Sequence, residues 1–167
     1  MDADWLVADI VAALGGSDTS FTVCAEGRGV SDQIASLAKQ GDAYDLVIAD
    51  LQIGSMGGVA VTMALRLDAS AGSLPAAPVL LLLDRVADVH LARRCGADGW
   101  LIKPLDPVRL RRAALAVAAG SSFTEGLADY AEAGVASTGG AFTINADLGV
   151  ADVAAREPAG SEPTSAG

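Results

Sequence analysis

Two short aliphatic runs limit what this chain can fold into. Leu46-Val47-Ile48-Ala49 and Val79-Leu80-Leu81-Leu82-Leu83 contain no polar residue, and each runs directly into an aspartate, Asp50 and Asp84. Runs this short do not sustain a helix, and without alternation they have no solvent face, so each reads as a strand buried on both sides of a parallel sheet. Parallel neighbours need a crossover connection, and a helical pattern, Val59 to Leu67, lies between the two runs. Asp50 therefore stands where a strand hands over to a glycine-bearing loop and a helix, at the edge of an open α/β sheet where ligands bind. A lone aspartate there also serves simply to end a strand or support a turn, and the residues alone leave both roles open.

The remaining pattern has the same rhythm. Trp5 to Leu14 has helical spacing and stops at Gly15-Gly16, Phe21 to Ala25 reads as a strand, and Val30 to Lys39 is an amphipathic helix closed by Gly41. Asp68 to Pro78 is expected to be a loop. Val86 to Cys95 is helical with Gly96 as its stop, Gly99 to Ile102 is the last strand, and a helix runs from Pro107 to Ala119 with Asp106 as cap. Strict alternation of strands and helices predicts a doubly wound α/β sheet. At 167 residues, 51% of them hydrophobic and only 4% aromatic, the chain can build one aliphatic core. Residues 1–120 are expected to form that domain. Residues 121–167, rich in Gly, Ala and Ser, with seven acids and a single base, Arg156, are expected to be a largely disordered tail.

Charge and cysteines exclude several classes. A net charge of −10 argues against nonspecific nucleic-acid binding. Cys24 and Cys95 lack metal-ligand or redox spacing, which predicts two ordinary thiols in a reducing compartment. Trp5 to Leu14 is interrupted by Asp9 and follows no basic start, so neither a signal peptide nor a membrane span is expected, and a cytoplasmic location is.

The segment Gly96-Ala97-Asp98-Gly99-Trp100-Leu101-Ile102-Lys103-Pro104 resembles the Gly-Ala-x-x-Tyr-x-x-Lys-Pro signature of response-regulator receiver domains. Gly58 follows Asp50 by the eight residues of that family's Asp-x-x-Met-Pro-x-x-x-Gly pattern. The resemblance covers residues 1 to about 120 and implies a flavodoxin-like fold. It further implies that Asp50 accepts a phosphoryl group from a histidine kinase or phosphotransfer protein, that Lys103 contacts the phosphoryl oxygens, and that the Lys103-Pro104 bond is cis. Mg²⁺ would be held by Asp2, Asp4, Asp50 and the backbone carbonyl of Gln52. Such a domain is a phosphoacceptor that catalyses its own phosphotransfer rather than a conventional enzyme.

The sequence also departs from the family. Ala3 stands where a second metal-binding acid is usual, Ile53-Gly54 replaces Met-Pro, and Leu83 occupies the place of the Ser or Thr whose hydroxyl couples phosphorylation to the aromatic switch, here Trp100. Two functions follow: a single-domain response regulator of a phosphorelay, or a phosphorylation-independent pseudo-receiver acting as an interaction module. An aspartate-nucleophile phosphatase would want an acid at Gln52. Arg93, Arg94, Arg109, Arg111 and Arg112 lie on the fourth and fifth helices, a face the family uses for partners, and would suit an acidic protein or a twin subunit. The family's first, central strand has no counterpart before Asp2. The expectation is that the product starts several residues earlier, with Met1 standing where the family has Val.

Overall fold

The structure is a computed structural model that describes residues 4–52 and 56–126. Five helices, α1 (Asp4–Leu14), α2 (Arg28–Lys39), α3 (Gly58–Ser70), α4 (Val89–Cys95) and α5 (Pro107–Ala118), accompany four strands, β1 (Val47–Asp50), β2 (Val79–Leu83), β3 (Gly99–Ile102) and β4 (Phe123–Thr124). A 3₁₀ turn, Val86–Asp88, leads into α4. The strands are parallel throughout and lie in the order β1-β2-β3-β4, with α2, α3 and α4 packed on one face and α1 and α5 on the other, an open, flavodoxin-like α/β sheet.

The aliphatic runs explain the core. All five residues of β2 are fully buried, because β2 has a strand on each edge and helices on each face. Ala49, Val79, Leu81 and Leu83 face α2, α3 and α4 through Ile34, Val61, Leu65, Val89 and Ala92. Leu80, Leu82 and Leu101 face α1 and α5 through Leu6, Leu110, Ala113 and Val117. Each such side chain contributes roughly 1.5–3 kcal/mol of transfer free energy. Helix α5 begins as the sequence suggests: Asp106 accepts a hydrogen bond from the Arg109 N–H at 2.9 Å, and Pro107 occupies the first turn, where its missing N–H costs nothing. Gly96 ends α4 in the left-handed conformation, φ 76°.

Three expectations are corrected. Phe21 to Ala25 is not a strand. Among the described residues no backbone hydrogen bond involves it, and its Phe21 and Val23 side chains are exposed, because it has no neighbour with which to form a ladder. Helix α3 runs to Ser70, three residues into the predicted loop, since Asp68 to Ser70 carry no helix breaker and Asp68 holds the Ser31 hydroxyl at 3.2 Å. Phe123–Thr124, read as part of the tail, pairs with Gly99 and Trp100 as β4 and packs Phe123 onto the α5 side of the core. Residues 127–167 lie outside the described residues. No strand precedes α1 among the described residues, so β1 has a partner on one edge only.

Candidate functional site

Asp50 is the last residue of β1, and its neighbourhood is set by close approach of the chain. Gly58 N–H donates to Leu51 O at 3.1 Å, and a side chain at Gly58 would collide with the Asp50 carbonyl oxygen. Only glycine lets α3 begin this near the strand end. That steric need is the physical content of the eight-residue spacing between Asp50 and Gly58.

Lys103 reaches the same point from the end of β3. Its N–H donates to Leu83 O at 2.8 Å, which fixes the backbone, and the Lys103-Pro104 bond is cis. The ammonium donates to Asp50 Oδ1 at 2.5 Å and to Asp84 Oδ1 at 3.0 Å. Lys103 and Asp50 are each less than one-fifth exposed, and Asp84 about one-third. Burial pulls the Lys103 pKa down, but the hydrogen bonds it donates to the Asp50 and Asp84 carboxylates, and their proximity, outweigh it and leave the ammonium above its ordinary value. Gln52 adds a side-chain amide to Asp84 Oδ2 at 3.3 Å.

The other candidates separate. Asp4 is the first residue of α1, and Asp2 lies outside the described residues. Among the described residues no group of three His, Cys, Asp or Glu side chains is arranged to hold a metal. Asp50 and Asp84 converge on the Lys103 ammonium, and two carboxylates are within the number of protein ligands that Mg²⁺ commonly takes while keeping its waters. Asp84 is thus the acid that sequence reasoning left out. Its signal was available, because it closes the second aliphatic run as Asp50 closes the first.

Leu83 is fully buried in the core beside Val89 and Trp100 and offers the strand end no hydroxyl. Trp100 is 4% exposed, and its indole N–H donates to Glu125 O at 2.8 Å. Glu125 also accepts from Ile102 N–H at 2.9 Å, and its other oxygen lies 2.9 Å from Arg109 Nε, an ion pair without hydrogen-bond alignment. Arg109 Nη2 donates to Ile102 O and Pro104 O, both at 2.8 Å. Arg109 is therefore bonded within the domain, though its side chain remains 38% exposed. Arg93, Arg94, Arg111 and Arg112 are exposed, with no ion-pair partner among the described residues.

Comparison with known proteins agrees with this geometry. No family model matches the chain. The transcriptional regulatory protein AruR of Pseudomonas aeruginosa is 26% identical over 113 residues, which cover 66% of this chain and 44% of that one. The response regulator ChrA of a heme-sensing two-component system superposes with a TM-score of 0.54 at 25% identity, over 84% of this chain and 65% of ChrA. The receiver domain of the putative response regulator NarL from Mycobacterium tuberculosis gives 0.52 at 27% identity, over 70% of this chain and 90% of that domain. A putative response regulator from Chloroflexus aurantiacus gives 0.57 at 22% identity over 71% and 93%, a likeness of fold alone. The chain spans less than two thirds of the length of AruR and of ChrA. Taken with the aspartate and lysine at adjoining strand ends, these likenesses show that the described residues have the fold of response-regulator receiver domains, without a strand before α1 among them.

Proposed function

We propose that Asp50 accepts a phosphoryl group from a histidine kinase or a histidine phosphotransfer protein, and that the domain signals onward through protein contacts in the cytoplasm. The observation that supports this reading most is the Lys103 ammonium 2.5 Å from the Asp50 carboxylate at the carboxyl edge of the sheet. An Asp50 oxygen attacks phosphorus in line, the new P–O bond forming as the P–N bond to the donor imidazole breaks, and the leaving nitrogen keeps the electron pair and takes a proton. Lys103 supplies a fixed positive charge for the incoming phosphoryl oxygens. Mg²⁺, when bound, supplies further charge neutralisation, and Asp50, Asp84 and the Gln52 carbonyl are the groups that would hold it. The exposed arginines of α4 and α5 suit an acidic partner or a second copy of the chain. Incubation with a small-molecule phosphodonor and Mg²⁺, followed by intact-mass analysis, tests the proposal: a gain of one phosphoryl group supports it.

A second reading, a pseudo-receiver that binds partners without phosphorylation, is favoured by two observations. Lys103 is shared with Asp84, and Leu83 provides no hydroxyl to report a change at Asp50 to Trp100. No mass gain, with partner binding unchanged in Asp50→Asn, would favour it.

A further inference from the structure

The outer edge of β3 is covered by the chain's own residues 123–126, and the cover fits imperfectly. Strand β4 is two residues long and pairs only Phe123 with Gly99 and Thr124 with Trp100. All four covering residues are no more than half-buried. Lys103 N–H turns inward to Leu83 O, so the N–H and C=O of Ile102, one residue back, turn outward. Neither group meets main chain of the cover. Ile102 N–H donates to the Glu125 carboxylate at 2.9 Å, and Ile102 O accepts from Arg109 Nη2 at 2.8 Å. The other Glu125 oxygen lies 2.9 Å from Arg109 Nε, yet that nitrogen, itself buried, has no aligned hydrogen bond. One carboxylate is thus divided between two donors and serves the second badly. At Gly126 the cover bends away in the left-handed conformation, φ 73°, beside Ile102, Val86 and Val89.

We propose that residues 123–126 are an internal placeholder on a docking groove along the edge of β3, and that an extended acidic segment of a partner protein displaces them. The present occupant shows what the groove recognises: an extended main chain beside Gly99 and Trp100, an aromatic side chain on the α5 side where Phe123 packs, and a carboxylate at Arg109. The partner gains at Ile102. A strand that runs straight on where the cover bends gives Ile102 main-chain partners, and its carboxylate is then free to align with the Arg109 guanidinium. The helices on either side favour an acidic segment, since Arg93 and Arg94 of α4 and Arg111 and Arg112 of α5 are exposed without ion-pair partners among the described residues. Residues 123–126 of a second copy would bring the same divided carboxylate and gain nothing. Displacement also takes the Glu125 carbonyl from the Trp100 indole N–H, so occupancy of the groove is felt in the core. The inference concerns the β3 edge alone and does not depend on phosphorylation of Asp50.

Fluorescence anisotropy with the full chain tests this. The probe is a labelled synthetic peptide, Val-Phe-Thr-Val-Glu-Glu, and its control carries Gln in place of both Glu residues. Glu125→Ala loosens the placeholder and leaves Ile102 and Arg109 in place. Because a closed groove lowers apparent affinity by the fraction of chains in which it is open, the peptide should bind Glu125→Ala at least about tenfold more tightly than wild type. The Gln peptide should bind neither, and Arg109→Gln added to Glu125→Ala should abolish binding. Should Glu125→Ala fail to fold, Glu125→Gln, which keeps an acceptor for Ile102 N–H, should give the same order of affinities with a smaller ratio. Equal affinity for wild type and variant, no binding to either, or binding that survives Arg109→Gln overturns the proposal. So does light scattering that shows dimers of the peptide-free chain which the peptide dissociates, since a second copy is then the occupant.

Discussion

Lys103 holds two carboxylates with one ammonium, which ties the strand end to pH. Its pKa is raised in the folded protein, so the folded state binds this proton more tightly than the unfolded chain does. The resulting stabilisation is complete below the ordinary lysine value of 10.5 and is lost as pH rises through the higher folded value. Urea unfolding of the wild type should therefore weaken above pH 10.5 by more than that of Lys103→Met. Below that pH the variant should be the less stable, since it leaves Asp50 and Asp84 side by side without a cation. Equal pH slopes would mean that Lys103 points to solvent. Glu125 is the other residue whose loss should be felt. It satisfies Ile102 N–H with its side chain, and its carbonyl holds the Trp100 indole. Glu125→Ala leaves a main-chain donor and the Arg109 guanidinium short of partners, at a cost of about 1–3 kcal/mol. In a Trp5→Phe background, needed because Trp5 is 56% exposed, Trp100 emission should shift to the red. An unchanged spectrum would show that the indole is held by packing alone.

At the scale of elements, Arg66 of α3 joins three parts of the fold. Its guanidinium donates to Ala77 O at 2.9 Å and Gly96 O at 2.8 Å and pairs with Asp98, whose carboxylate accepts Val79 N–H at 2.6 Å. The starts of β2 and β3 are thereby fixed to one helix. Arg66→Lys should destabilise nearly as much as Arg66→Met, about 1–3 kcal/mol by thermal or urea unfolding, because a single ammonium cannot reproduce the guanidinium fork. Near-complete rescue by lysine would show that charge alone matters. Such networks explain how far a sequence can be read. β1, β2, β3 and α5 were legible, because aliphatic runs and an Asp-Pro start depend on the residues themselves. Phe21 to Ala25 has equal strand character and forms none, because a ladder also requires a neighbour. β4 was illegible for the opposite reason: two residues in a Gly- and Ser-rich stretch have no pattern, and their place is set by Trp100 and Arg109, far away in sequence. Asp50 and Lys103 were legible as candidates through their motifs, whereas the convergence of Asp84 on the same ammonium depends on the register of β2 beside β1.

Across the whole molecule, burial is lopsided. β2 is sealed, while Leu46, Val47 and Ile48 on the open side are only half-buried and Trp5, Val11, Phe21 and Val23 are exposed. The opposite side of the sheet is closed by the chain's own β4. That contrast predicts where truncation matters. Ending the chain after Gly126 should leave the melting temperature within a few degrees of wild type, since residues 127–167 are poor in large apolar side chains. Ending it after Gly120 removes β4 and the Glu125 contacts and should lower it clearly; equal melting of the two truncations would deny β4 a structural role.

Whether Asp50 is the phosphoryl acceptor is tested most directly by intact-mass analysis with peptide mapping. After incubation with a small-molecule phosphodonor and Mg²⁺, the account predicts one added phosphoryl group, mapped to Asp50, dependent on Mg²⁺ and absent from Asp50→Asn. No added mass at any Mg²⁺ concentration, or an equal gain in Asp50→Asn, would contradict it.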